Sequence, residues 1–477
     1  MRDFIRLLPF FACGIAFVWS VQYDPFFWDT VQLASKHAHH FYDNGLRWTP
    51  LPPEIDSGHP PVFGYYLALV WICFGKTLPA SHWAMLPFIL LNIGLIYRIG
   101  QRAGGPRWAF WLLPLILLDP IVAGQHALVS PDVALICGFL MAVSGMLERR
   151  RWLLSTGVFI LCLVSMRGMM TAGALFVSQI LLLQEAKLIR PVSNKKVLGF
   201  FRAVISGIPP YVPGFVFAVW YLWWHHAATG WTGYHADSPW APAFEKAGAS
   251  QMLKNIAVVG WRWLDFGRIF EWLLVAWLVF RARGGNNKRL VTGVFFILCI
   301  CLTVLLTPSA LLFQNLSAHR YFLPCFLAFH LFVFSFINHV ASAATRVYLF
   351  AALIAGFAFG NRWIYPRGIS MGWDATLAHL PYHRLRAEAV AFLDAEKIPF
   401  EEVGSAFPNL NTGEQLLLNG DNRRFAEKDL ARNEYIFCSN IFNDFSEKDL
   451  DLLQRQWLTI KHFEQAGVWI DIYRRRH

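Results

Sequence analysis

From residue 5 to residue 360 the chain is a succession of long apolar blocks separated by short, mostly basic loops, and this alternation limits the fold more than any motif does. Blocks at 5–21, 82–99, 108–125, 130–147, 152–166, 169–184, 204–224, 266–280, 290–306, 321–338 and 346–360 approach the ~20 residues needed to cross a bilayer, about eleven spans once short or tilted ones are allowed. Of 477 residues, 56% are hydrophobic and 15% charged, too apolar for one soluble domain. The expected fold class is mainly α, a polytopic membrane protein. The segment 62–75, VFGYYLALVWICFG, is apolar but short, and reads as an interfacial or re-entrant piece. No small-residue cleavage pattern follows the basic start and first block, so an uncleaved first helix is expected.

The formal net charge of +11 does not point to nucleic acid, because the Lys and Arg residues sit in short loops. Clusters occur at Arg2 and Arg6, Arg98–Arg107, Arg149–Arg151, Lys187–Arg202, Arg281–Arg289 and, more weakly, Arg346. With eleven spans all of them fall on one side, which the positive-inside rule makes cytoplasmic. The N-terminus is then cytoplasmic. The stretch 22–81, the loop 225–265, the turn 307–320 and the C-terminal tail face outward.

Residues 1–360 therefore read as a transmembrane module and 361–477 as a small soluble α/β domain outside the membrane. Helices are expected at 383–397, HRLRAEAVAFLDAEK, and at 446–456, where Ser446 and Asp449 make a variant capping box. Strands are expected around Glu434–Cys438 and Val468–Tyr473. Seven of the eight cysteines lie in apolar blocks and Cys438 is alone in the tail, so neither a disulfide nor a cysteine metal site is expected.

Chemistry concentrates between Asp24 and Pro61. Phe27, Val31, Ala34, Ala38 and Phe41 recur at helical spacing, with Asp29, Gln32, Lys36 and His40 on the other side, as in a helix lying at the membrane interface. Asp24 before Pro25 reads as its N-cap. Asp29, inside the helix, is either a solvated charge paired with Lys36 or Arg47, or a functional carboxylate. His59, held ahead of Pro60-Pro61, is a phosphate contact, a proton donor or part of a plain turn. His126 and Asp132 lie at the outer ends of two spans, Asp132 in a Ser-Pro-Asp helix start. Arg167 and the sequence His319-Arg320-Tyr321 place cations at the same level, where they either snorkel or serve a site. His37, His39 and His40 lack a completing carboxylate or cysteine for zinc. No Gly-rich phosphate loop, GxSxG or HExxH is present.

Taken in order, WDTVQLASKHAHHFYDNG, HPP, an outer-end Pro-Asp, Arg-Tyr before a late span and a soluble tail resemble the GT-C glycosyltransferases. The nearest branch is that of the protein O-mannosyltransferases and lipid A aminoarabinose transferases. The resemblance implies a polyprenyl-phosphate sugar donor, an inverting transfer and residence in a bacterial inner membrane. It places the family's first-loop acid on Asp29, its His/Lys-Pro-Pro on His59, its outer-end acid on Asp132 and its phosphate-side Arg-Tyr on Arg320 and Tyr321. Thr30 stands where relatives carry a second acid.

On that reading Asp29 is the base for the acceptor hydroxyl, while Arg320, Tyr321, His59 and Arg167 attend the donor phosphate. Asp24, Lys36, His126 and Asp132 are substrate-side or structural. The partners are the lipid donor, membrane lipid and an unnamed glycan, lipid or protein acceptor. No cofactor is identified; a divalent metal stays an open alternative. The competing class is a transporter or flippase of lipid-linked sugars, against which stand the missing internal repeat and the want of a clear midplane charge.

Overall fold

A computed structural model describes residues 2–188, 203–233, 235–236, 241–282, 293–314, 317–366 and 369–476. The basic loops 187–202 and 281–289 lie largely outside them. Each expected apolar block falls mainly on a helix. Six helices among the described residues are long and apolar enough to cross a membrane: Leu78–Gly104, Pro131–Glu148, Met166–Leu183, Val294–Leu312, His319–Val340 and Ala343–Gly360. A seventh is the pair Ala109–Leu117 and Pro120–Ala127, bent by 68°. Ile5–Val21, Val62–Phe74 and Arg151–Val164 are apolar but shorter. Eleven spans thus exceeds what length and composition select by themselves.

The bend has a local cause. Pro120 cannot continue the preceding helix, and Asp119 starts a new one by accepting from the Ile121 N–H at 2.9 Å. At the centre stands Leu323–Val340, whose Leu323, Phe326, Leu327, Leu331, Phe334 and Ile337 are fully buried.

The first loop departs from expectation. No helix starts at Pro25: residues 24–27 are irregular, and a π-helical turn, Val31–Lys36, runs into an α-helix, His37–Asp43. The stripe Phe27, Val31, Ala34, Ala38 and Phe41 is at most 1% exposed. It packs on protein rather than on lipid, and Gln32 on the expected polar side is buried too. Gly64 shows how close the packing is, since a Cβ there would stand 2.3 Å from that of His37. The C-terminal helix Gly413–Leu417 closes the other side: Phe26 N–H donates to Leu416 O at 2.9 Å and Ser35 Oγ to Gln415 O at 2.6 Å.

The soluble elements are close to those expected. Helices run Leu380–Ala395 and Glu447–Gln456, the second with both capping-box bonds of Ser446 and Asp449. The sheet has the order β2 (Ala426–Glu427), β1 (Val403–Ser405), β3 (Tyr435–Ser439), β5 (Val468–Arg475), β4 (Trp457–Gln465). The first two pairings are parallel and the last two antiparallel. β4 and β5 join through Ala466-Gly467, both at positive φ, as a two-residue hairpin turn requires.

Candidate active site

Asp29 is set by a strained turn. Trp28 has φ +53°, uncommon for a bulky residue, and its ring packs edge-on against Phe407 at 5.7 Å. Thr30 Oγ1 accepts from the Phe27 N–H at 2.9 Å and donates to Phe27 O at 2.7 Å. The chain therefore turns sharply and Asp29 occupies the first helical turn, where the helix dipole favours a carboxylate. Asp24 caps nothing. Its carbonyl accepts from His82 Nε2 at 3.0 Å, and burial pushes its carboxyl up to about 6.

The partner of Asp29 is neither Lys36 nor Arg47 but Arg320, on the short turn His319–Phe322. The same guanidinium places Nη1 3.3 Å from Asp132 Oδ2 and Nε 3.1 Å from Asp374 Oδ2. Arg167 pairs with the other oxygen of Asp132 and donates to the Arg320 carbonyl. The Tyr321 ring lies within cation–π range of both, 5.2 Å from the Arg320 guanidinium and 5.4 Å from that of Arg167. Asp132 also sits where the Ser-Pro-Asp pattern put it, in a first turn capped by Ser130 Oγ at 3.1 Å. Three carboxylates thus face two guanidiniums, largely out of water.

Asp374 was not anticipated. It is one acid in MGWDATLAHL beyond the last span, with no periodicity to mark it. Its backbone is fixed from the membrane side. Gln125 Nε2 donates to Asp374 O at 2.8 Å, and a Cβ at Gly124 would come within 2.7 Å of Thr376 N. Burial pushes the Asp374 carboxyl up, against the lowering pull of Arg320.

The remaining candidates are not members of these ion pairs. Among the described residues His59 Nδ1 is buried without a hydrogen-bond partner. Burial first, then Arg167 and His37, push His59 down to about 4, so at neutral pH it offers an N–H rather than a charge. Its loop is pinned by Asp56, which takes His225 Nε2 at 2.9 Å, and by Tyr221, whose hydroxyl donates to His59 O at 2.8 Å. Lys36 is half-buried, makes no ion pair among the described residues, and has its amine pushed down by burial. His126 is held at both nitrogens, by Val122 O at 2.6 Å and Asn92 Nδ2 at 3.3 Å. The three first-loop histidines diverge: His37 to Ile55 O, His39 to Glu414 and His40 to Thr49. Among the described residues no three His, Cys, Asp or Glu converge as metal ligands.

Of two further clusters, only His319 carries a mark in the sequence. His319, Asp265, Tyr365 and Arg262 form a hydrogen-bonded group beside Arg320. Deeper, Asp119 meets Arg268 at 2.9 Å and His330 at 3.2 Å, and His330 reaches Glu271 at 2.8 Å, all unexposed. Charge does lie among the helices, contrary to expectation, in a group closed upon itself.

No protein family and no curated protein matches the chain in sequence. Among solved structures, ArnT from Cupriavidus metallidurans bound to undecaprenyl phosphate matches with a TM-score of 0.53 at 13% identity, over 98% of this chain and 97% of that one. The chain therefore has the GT-C-type membrane fold of ArnT, C-terminal domain included.

Proposed function

We propose that the chain is an integral membrane glycosyltransferase that moves a sugar from a polyprenyl-phosphate donor to an acceptor hydroxyl at the outer membrane face. The observation that carries this reading is the sharing of Arg320 among Asp29, Asp132 and Asp374. A phosphate arriving at that guanidinium competes with Asp29 for it. Asp29, released from its ion pair, gains basicity beside the donor. The carboxylate then takes the acceptor's proton as the acceptor oxygen attacks the anomeric carbon and the phosphate departs, an inverting displacement. Arg320 and Arg167 neutralise the leaving phosphate, Tyr321 orients both, and His59 adds a neutral donor. Lys36 is a further cation for the lipid phosphate. The fold shared with a protein bound to undecaprenyl phosphate supports the donor class.

The N-terminus is cytoplasmic and the C-terminal domain extracytoplasmic on this proposal, in a bacterial inner membrane. A carrier of lipid-linked sugars is not favoured, because the intramembrane group Asp119, Arg268, Glu271 and His330 is fully enclosed and offers a solute no exposed charge. Membranes containing the protein, given labelled polyprenyl-phosphate sugars, are expected to pass label to a second molecule. Movement of intact lipid without sugar release would instead identify a carrier.

A further inference from the structure

Gln125 is buried on the short helix Pro120–Ala127, and both ends of its amide are taken. Nε2 donates to the Asp374 carbonyl at 2.8 Å, and Oε1 accepts from the Ser130 hydroxyl at 2.5 Å. The two ends cannot be exchanged, because the Asp374 carbonyl only accepts and must meet the amide nitrogen. The Ser130 hydroxyl has a single proton. With that proton committed to Gln125, its lone pairs are left to accept from the Asp132 N–H at 3.1 Å. One side chain therefore reaches the backbone of Asp374 directly and that of Asp132 through one hydroxyl.

The helix that carries Gln125 is itself held on several sides. At its start Asp119 accepts from the Ile121 N–H at 2.9 Å and also pairs with Arg268 and His330, which stand on two other helices. At Gly124 its backbone lies against the segment 374–376, where a Cβ would stand 2.9 Å from Asp374 O. His126, the next residue, meets Asn92 at 3.3 Å.

Asp132 and Asp374 take Nη1 and Nε of Arg320, with 1% and 5% of their side chains exposed. Asp29, at 21%, meets Nη2. A guanidinium is a planar, rigid fork, so acids that fix two of its nitrogens also fix the direction of the third.

We propose that Gln125 is a positioning residue for Arg320. It sets Asp132 and Asp374 relative to each other, and the guanidinium held by that pair presents Nη2 to Asp29 and to any anion that displaces Asp29. Naming that anion a lipid phosphate rests on the proposed function; the clamp does not.

The test measures unfolding equilibria of the full-length protein in detergent. Wild type, Arg320→Met, Asp374→Asn and the double variant give the coupling between Arg320 and Asp374, expected to be about 10–100-fold in the unfolding constant. The cycle is repeated with Gln125→Met, which keeps the size of the side chain and loses both hydrogen bonds. The coupling is expected to fall by about fivefold or more. A merely structural Gln125 would shift all four proteins by one factor and leave the coupling intact, and that result overturns the proposal. So does the absence of coupling in the wild-type background. If Gln125→Met does not fold, the cycle between Arg320 and Asp132 (Asp132→Asn) is measured with and without Ser130→Ala, which removes only the hydroxyl. A fall in that coupling is expected, and an unchanged value overturns the proposal. Stabilisation of the wild type by undecaprenyl phosphate is measured separately; its absence counts against the donor reading and leaves the couplings unaffected.

Discussion

The guanidinium of Arg320 and the carboxylate of Asp29 form an ion pair that ties the first loop to the turn before the central helix Leu323–Val340. On the proposed mechanism this contact makes base and anion site a single unit, because whatever occupies Arg320 decides the state of Asp29. Its consequences can be measured.

Asp29→Asn is expected to lower sugar transfer by about 10²–10⁴-fold, the usual contribution of a positioned base, with unfolding temperature little changed because the amide keeps an oxygen toward Arg320. Turnover in membranes with a labelled donor checks this. Wild-type rates in the variant would remove Asp29 from the chemistry.

Removing the shared cation has a different signature. Arg320→Met strands Asp374, which is buried, leaves Asp132 to Arg167 alone, and is expected to cost about 3–5 kcal/mol of stability. Adding Asp374→Asn restores part of that loss by deleting one stranded charge. Denaturation of the single and double variants in detergent reads both effects. Equal stabilities for the two would show that Asp374 does not depend on Arg320.

Asp24 supplies a pH dependence. Its folded value of about 6 lies above the ordinary 3.8, so the native protein holds this proton more readily than the unfolded chain. The carboxyl therefore opposes folding increasingly as pH rises through that interval, and not below it. Asp24→Asn is expected to raise the unfolding temperature at about pH 8 and to lose the advantage by about pH 4. A constant advantage across this range contradicts the burial argument.

Gly64→Ala tests the seating of the first loop. The added Cβ would stand 2.3 Å from His37 Cβ and 2.9 Å from His37 C, so helix Val62–Phe74 must shift away. A loss of about 1–3 kcal/mol is expected, together with reduced transfer, because Asp29 rides on the same packed segment. Unchanged stability and transfer would show that the two helices can separate without disturbing the site.

Much of this architecture is legible along the chain. The apolar blocks mark the helices, Ser446 and Asp449 mark a helix start, and the Ser-Pro-Asp pattern places Asp132 in a first turn. Asp29, Asp132, Arg167, Arg320 and Tyr321 stand out as polar residues at apolar block ends, and the structure brings all five together. Asp24 misleads, because Asp-Pro signals a helix start only where the backbone behind it is free to enter one. Here the entry waits for the turn at Trp28.

What the sequence by itself determined is what depends on neighbours a few residues apart: hydrophobic period, caps and the split between the apolar blocks and the charged tail. Only the tertiary structure decided which charges meet. Asp374 joins Arg320 because Gln125 and the close packing at Gly124 hold its backbone against the bent helix pair. Asp29 finds a guanidinium rather than water because its apolar stripe packs on the C-terminal domain and on helix Val62–Phe74. Ion pairing takes its partner from whatever helix packing brings within a few ångströms in a dry interior, and no local pattern encodes that distance.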